Sequence, residues 1–289
     1  GLSGPVKDGL ERAFVHAVSE PATSRMLGHI VDLRLAGPAL TSAIRAFIQL
    51  FDIDMTEVDR PISSFETFND FFTRTLVPGA RPLPEDPALV VSPADARLTL
   101  FGPVPTHGQL TQIKARTFSL DAFLGGPDAA SPFRCGTYAT LYLSPRDYHR
   151  VHAPVDGIVT SWTYIPGKLF PVNGLSLRHV DSVFSKNERV VVRMRSELLG
   201  ELAVVFVGAA NVGRIRLSFA DLETNRTARP GTVTPPSPIP VARGGELGSF
   251  NLGSTVVLLT ERSDLAPCDL LAGQHMLMGQ ALWRPLLQD

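Results

Sequence analysis

Two runs decide how this chain is read: Arg189-Val190-Val191-Val192-Arg193-Met194-Arg195 and Glu201-Leu202-Ala203-Val204-Val205-Phe206-Val207. Both are short, rich in β-branched residues and set off by turn formers such as Asn187 and Gly200, which is how strands read. Outward from them the pattern recurs at Thr137–Leu143, Gly157–Tyr164 and Thr255–Thr260. The 24 prolines and 24 glycines among 289 residues imply many turns and weigh against a helical bundle. The expectation is an α+β fold with a mainly antiparallel β core. The proline-rich stretch 230–240 reads as an exposed loop.

The N-terminal region differs. Leu10, Phe14 and Val18, then Met26, Ile30 and Leu33, then Leu40, Ile44, Phe47 and Phe51 recur at helical spacing. Three short amphipathic helices are expected between Pro5 and about Met55, broken at Pro21 and at Gly37-Pro38. Their apolar faces either pack on the rest of the protein or lie in a membrane interface. Residues 1–60 are read as a helical region, and 61–289 as the β-rich domain.

Bulk charge excludes one class of partner. With 27 basic and 28 acidic residues the net charge is −1, so no nucleic acid is expected. No stretch reaches the 18 or more apolar residues of a bilayer-spanning helix, and the N-terminus lacks a signal-peptide pattern. Cys135 and Cys268 lack metal-ligand spacing, so both are expected as buried small residues in a reducing compartment, and no metal is expected.

Three segments hold side chains capable of chemistry. In Leu141–Pro154, Ser144, Pro145 and Asp147 resemble a helix N-terminus, and Pro154 ends any turn. His149 and His152 fall where that turn passes into extended chain. They suit acid–base work near neutral pH, or metal binding, or plain hydrogen bonding at a sheet edge; spacing leaves these open. Asp95, in Ser92-Pro93-Ala94-Asp95, reads alone as a turn former. Gly253-Ser254 opens an apolar strand and reads alone as a tight turn. Together the segments supply Ser, His and Asp, but Leu252 and Val256 stand where a Gly-x-Ser-x-Gly elbow needs glycine, which disfavours an α/β hydrolase.

In order along the chain, these segments resemble the pyruvoyl-dependent, prokaryotic-type phosphatidylserine decarboxylase family. The resemblance is carried by Phe65–Arg74 and Pro78–Pro82, the turn at Asp95, Tyr142–Pro154, Phe170, Val172 and Asn173, Phe184–Val190, Val207–Gly213, Gly245–Gly248 and Leu252–Thr255. It implies autocatalytic cleavage between Gly253 and Ser254, served by Asp95 and His152, into a β chain (1–253) and an α chain (254–289). It implies a pyruvoyl cofactor derived from Ser254, an imine between that group and the phosphatidylserine amine, and release of carbon dioxide and phosphatidylethanolamine. By motif position His149 is linked to decarboxylation and Tyr142 to orienting substrate. The implied place is peripheral, on the cytoplasmic face of the cell membrane, with residues 1–60 as the membrane-associating region, and a homodimer is compatible with it. The competing readings are a serine hydrolase using Ser254, His152 and Asp95 without cleavage, a pyruvoyl decarboxylase of another amine, and a β-rich scaffold with structural histidines.

Overall fold

The structure, a computed structural model, describes residues 37–113, 116–172, 180–209, 214–251 and 254–286, without the side chains of Ile113 and Ser254. Helix α1 (Gly37–Phe51) is the third of the expected N-terminal helices; the first two lie outside the described residues. It buries Leu40 and Ile44 against Ile53, Val58, Phe65 and Phe71, a small core separate from the main one. This core runs across residue 60. Helix α2 (Phe68–Phe72) starts where Thr67 accepts a hydrogen bond from Asp70 N at 3.0 Å, while Asp70 Oδ2 accepts from Glu66 N. Capping of this kind makes a five-residue helix possible.

The strands are, in chain order, β1 (Val90–Val91), β2 (Ala96–Pro103), β3 (Gln109–Ile113), β4 (Arg116–Ser119), β5 (Thr137–Leu143), β6 (Arg150–His152), β7 (Gly157–Ile165), β8 (Arg189–Ser196) and β9 (Gly200–Val207). They continue as β10 (Arg214–Leu217), β11 (Gly231–Val233), β12 (Ile239–Val241), β13 (Glu246–Asn251), β14 (Ser254–Thr260), β15 (Leu265–Pro267), β16 (His275–Met276) and β17 (Ala281–Pro285). Among the described residues every ladder between these strands is antiparallel, and the five expected runs are the strands β5, β7, β8, β9 and β14. The large sheet has the order β11-β7-β8-β9-β14-β5-β2-β16, with β12 also on β7. Its central strands carry Val190–Val192, Leu202–Val207 and Val256–Leu259, all buried.

Two expectations change. The stretch 230–240 is exposed but is not simply a loop: Thr232 pairs with Thr163 and Pro240 with Ile158, so β11 and β12 extend the sheet edge. Proline masked them in the sequence; on an edge strand it is tolerated because one face needs no donor. Cys135, expected to be buried, is exposed at a turn with φ 64°, and Cys268, expected likewise, is only half-buried.

The topology places a step in the sheet. β5 and β14 pair, with Leu143 opposite Ser254; β6 and β13 pair, with His152 opposite Glu246. Thus one chain leaves the large sheet after Leu143, turns through 144–149 and enters a second sheet as β6. The other crosses between the same sheets from Asn251 to Ser254, and Phe250 N donates to His149 O at 3.0 Å at this crossing. Gly248 is needed where β13 runs against β10, because a Cβ would lie 2.3 Å from the Arg216 carbonyl oxygen. Gly248→Ala is expected to cost about 1–3 kcal/mol, as overpacking does, seen as a lower melting temperature in a thermal unfolding scan.

Candidate active site

The turn 144–149 is tied by Asp147. Its Oδ2 accepts from Ser144 N at 2.7 Å and from Ser144 Oγ at 2.6 Å, and Asp147 N donates to Ser144 O at 2.9 Å. The expected cap is present, but the chain forms a turn and no helix follows. By Arg150 the backbone is extended, and the two histidines have different surroundings.

His149 is fully buried, its ring 4.1 Å from that of Phe72. Nδ1 lies 2.7 Å from Asp147 O; a carbonyl only accepts, so Nδ1 carries the hydrogen and Nε2 keeps its lone pair. Nε2 is buried and has no hydrogen-bond partner among the described residues. Burial pushes the His149 pKa down to about 3, with Asp147 O opposing.

His152 is arranged in parallel. Its Nδ1 donates to Gly244 O at 2.8 Å, and its Nε2 accepts from the Tyr148 hydroxyl at 3.1 Å. Burial pushes the Tyr148 phenol up, so it stays a donor, and burial lowers the His152 pKa. Gly244 has φ +79°, a left-handed conformation open to glycine at little cost, and this aims its carbonyl at the ring. Each imidazole therefore has one nitrogen fixed by a carbonyl and the other as a base.

The pair makes the protein acid-sensitive. An unfolded histidine binds a proton below its ordinary value of 6.5, whereas native His149 resists protonation down to about 3. Between those values the unfolded state holds more protons, so stability falls as pH falls, by up to about 1.4 kcal/mol per pH unit. Denaturant unfolding at pH 7.5 and pH 5 is expected to show the loss, and His149→Gln to remove part of it. Equal pH dependence in both proteins would contradict the assignment.

Asp95 is buried, and its side chain does not cap its own turn. Arg81 Nε donates to Oδ1 at 2.8 Å and Arg81 Nη2 to Oδ2 at 2.5 Å, while Met278 N donates to Oδ1 at 2.7 Å. Arg81 also holds Glu57 with two bonds of 2.9 and 2.8 Å. Asp95 and His152 share no hydrogen bond; the orientation expected from Asp95 comes from the Gly244 carbonyl. The two segments do meet, His152 N donating to the carbonyl of Pro93, two residues before Asp95, at 2.8 Å. Tyr142 stands opposite Thr255, one residue beyond Ser254, and burial raises its pKa. Ser254 opens β14 between two partner strands; Gly253 lies outside the described residues.

Four participants were not singled out from the sequence. Arg74 donates to Arg146 O at 2.8 Å, Tyr148 faces His152, Gly244 fixes its tautomer, and His275 Nε2 lies 2.9 Å from Asp147 Oδ1. Arg74 and Arg81 stand seven positions apart in the motif that carried the resemblance, a regular signal with no role attached. No group of three or more His, Cys, Asp or Glu suited to a metal exists among the described residues.

Fold and site together define a class: a β-sheet protein holding two neutral imidazoles at the step between two ladders, beside a strand that begins with serine. Comparison with known proteins narrows the class to a family. The profile described as phosphatidylserine decarboxylase matches residues 68–284. The protein named phosphatidylserine decarboxylase proenzyme in Myxococcus xanthus is 41% identical over 249 residues, 86% of this chain and 88% of that protein. Those of the same name in Bordetella avium and Brevibacillus brevis are 43% identical over 260 residues (88% of this chain, 87% of that protein) and 38% over 272 residues (93% and 95%). The chain belongs to the phosphatidylserine decarboxylase family.

Proposed function

We propose that this chain is a proenzyme that cleaves itself between Gly253 and Ser254 and then converts phosphatidylserine to phosphatidylethanolamine and carbon dioxide. The observation that carries this is the matched pair of neutral imidazoles: His149 and His152 each commit Nδ1 to a carbonyl and keep Nε2 as a base.

In cleavage, His152 Nε2 takes the Ser254 hydroxyl proton, and the Ser254 oxygen attacks the Gly253 carbonyl carbon. The C–N bond breaks as the nitrogen gains a proton, leaving an ester. Loss of the Ser254 α-proton then expels the Gly253 carboxylate and leaves dehydroalanine, which one water converts to a ketone with release of ammonia. The Asp95 charge favours the imidazolium that forms on His152. Asp95 also positions the turn whose Pro93 carbonyl holds His152 N.

The residues fit a pyruvoyl group at position 254. Thr255 beside it is buried, which excludes water, and His149 Nε2 is an orphaned buried base. Such a group supplies an electrophilic carbonyl that accepts the electron pair left when carbon dioxide departs. His149 Nε2 holds and delivers the proton that replaces carbon dioxide on the substrate carbon. An anion arriving beside a buried imidazole raises its proton affinity, so the ring charges when substrate is present. Tyr142 is the candidate for orienting the substrate.

Cleavage need not separate the pieces. Residues 254–286 supply β14, which lies between β5 and β9, as well as β16 on β2 and β17 on β1. Met278 N on Asp95 and His275 on Asp147 add bonds across the cut.

The lipid must reach the site from a bilayer, and the helical region is proposed to rest on one, at the cytoplasmic face of the cell membrane. Leu50 on α1 is 75% exposed, and among the described residues no helix is long and apolar enough to cross a membrane. The test is conversion of phosphatidylserine in vesicles: phosphatidylethanolamine and carbon dioxide should appear one to one. Ester hydrolysis by an uncleaved chain would favour the hydrolase reading instead.

A further inference from the structure

Arg74 is, among the described residues, the one guanidinium with buried donors that lack a hydrogen-bond partner. It is only 4% exposed, yet Nε and Nη1 are buried without a partner. Nη2 alone is used, donating to Arg146 O at 2.8 Å and to Asp147 O at 3.4 Å. The Phe71 ring lies 5.4 Å away, and the side chains of Asp95 and Asp147 attract Arg74 electrostatically without hydrogen-bonding it. Burying an ion with two idle donors is costly unless an anion completes it.

The position of Arg74 says which reaction such an anion would take part in. Its Nη2 and His149 Nδ1 converge on the same atom, the Asp147 carbonyl oxygen, at 3.4 and 2.7 Å. The segment is anchored there: Arg150 Nε and Nη2 donate to Thr73 O at 3.0 and 2.8 Å, and Phe72 packs on the His149 ring. The guanidinium thus sits next to the imidazole proposed to protonate the substrate carbon. Phosphatidylserine brings two anions near that carbon. Its carboxylate leaves as carbon dioxide, so a buried cation on it would stabilise the ground state and slow the reaction. The phosphodiester, three bonds from the same carbon, keeps its single charge from substrate to product. A fork of N–H donors suits two phosphate oxygens.

We propose that Arg74 binds the phosphodiester of the lipid head group through Nε and Nη1, an interaction present equally in substrate and product. This inference rests on the decarboxylase reading.

Arg74→Lys keeps the charge and loses the fork; Arg74→Met loses both. Each variant is checked for cleavage by intact mass and for fold by circular dichroism, then assayed on phosphatidylserine vesicles with phosphatidylethanolamine as competing ligand. That lipid keeps the phosphodiester and lacks the carboxylate. The expected result for Arg74→Lys is normal cleavage, kcat little changed, and KM for phosphatidylserine and Ki for phosphatidylethanolamine raised together by roughly 10- to 100-fold. A raised KM with an unchanged Ki would assign Arg74 to the carboxylate and overturn the proposal. Unchanged KM and Ki would reduce Arg74 to a clamp on the turn and overturn it too. Loss of cleavage in both variants with the fold intact would place Arg74 in the self-cleavage step instead, again against the proposal. Failure of the decarboxylase reading itself is separate, since the unmutated protein would then make no phosphatidylethanolamine.

Discussion

His152→Ala is expected to remain a single chain of 289 residues. The imidazole is the base whose Nε2 keeps its lone pair, accepting from the Tyr148 hydroxyl at 3.1 Å, when Nδ1 is committed to Gly244 O at 2.8 Å, and burial keeps it neutral and able to accept a proton. Loss of one general base slows a proton transfer by roughly 10²- to 10⁴-fold. Because the ketone cannot form without cleavage, activity on phosphatidylserine should vanish with it. Denaturing electrophoresis reads the first effect, and circular dichroism excludes simple misfolding. Full cleavage of a folded His152→Ala protein would remove His152 from the role.

His149→Ala should behave in the opposite way. Its fully buried ring faces Phe72 and fixes no part of the His152 hydrogen bonds, so self-cleavage should proceed. Turnover of phosphatidylserine should fall roughly 10²- to 10⁴-fold, the range for a lost acid–base group. The decisive comparison is kcat per cleaved chain, measured with equal fragment yields. If both variants cleaved and both decarboxylated, the division of labour between the two histidines would be wrong.

The contrast between fold and site shows what a sequence carries. Thr137–Leu143 and Glu201–Val207 are legible because buried strands need unbroken apolar, β-branched residues, and turn formers mark their ends. β11 and β12 are not, because exposed edge strands need no apolar pattern and Pro240 argues against a strand until the free edge of β7 is seen. At the site, the histidines announce themselves, but their partners do not. The atom that orients His152 is a backbone carbonyl 92 positions away, and one donor to Asp95 is an amide 183 positions away. Backbone groups are the same at every position, so no composition or spacing could nominate them. Asp95 illustrates the consequence. By residue type it belongs beside His152, but Arg81 and Met278 N take both its oxygens.

The most direct test of the account is the intact mass of the purified protein. It should resolve into fragments 1–253 and 254–289, the smaller lighter than a serine-headed fragment by one ammonia and labelled by borohydride in the presence of an amine. An active protein that runs as one chain, or whose small fragment begins with unmodified serine, would contradict it.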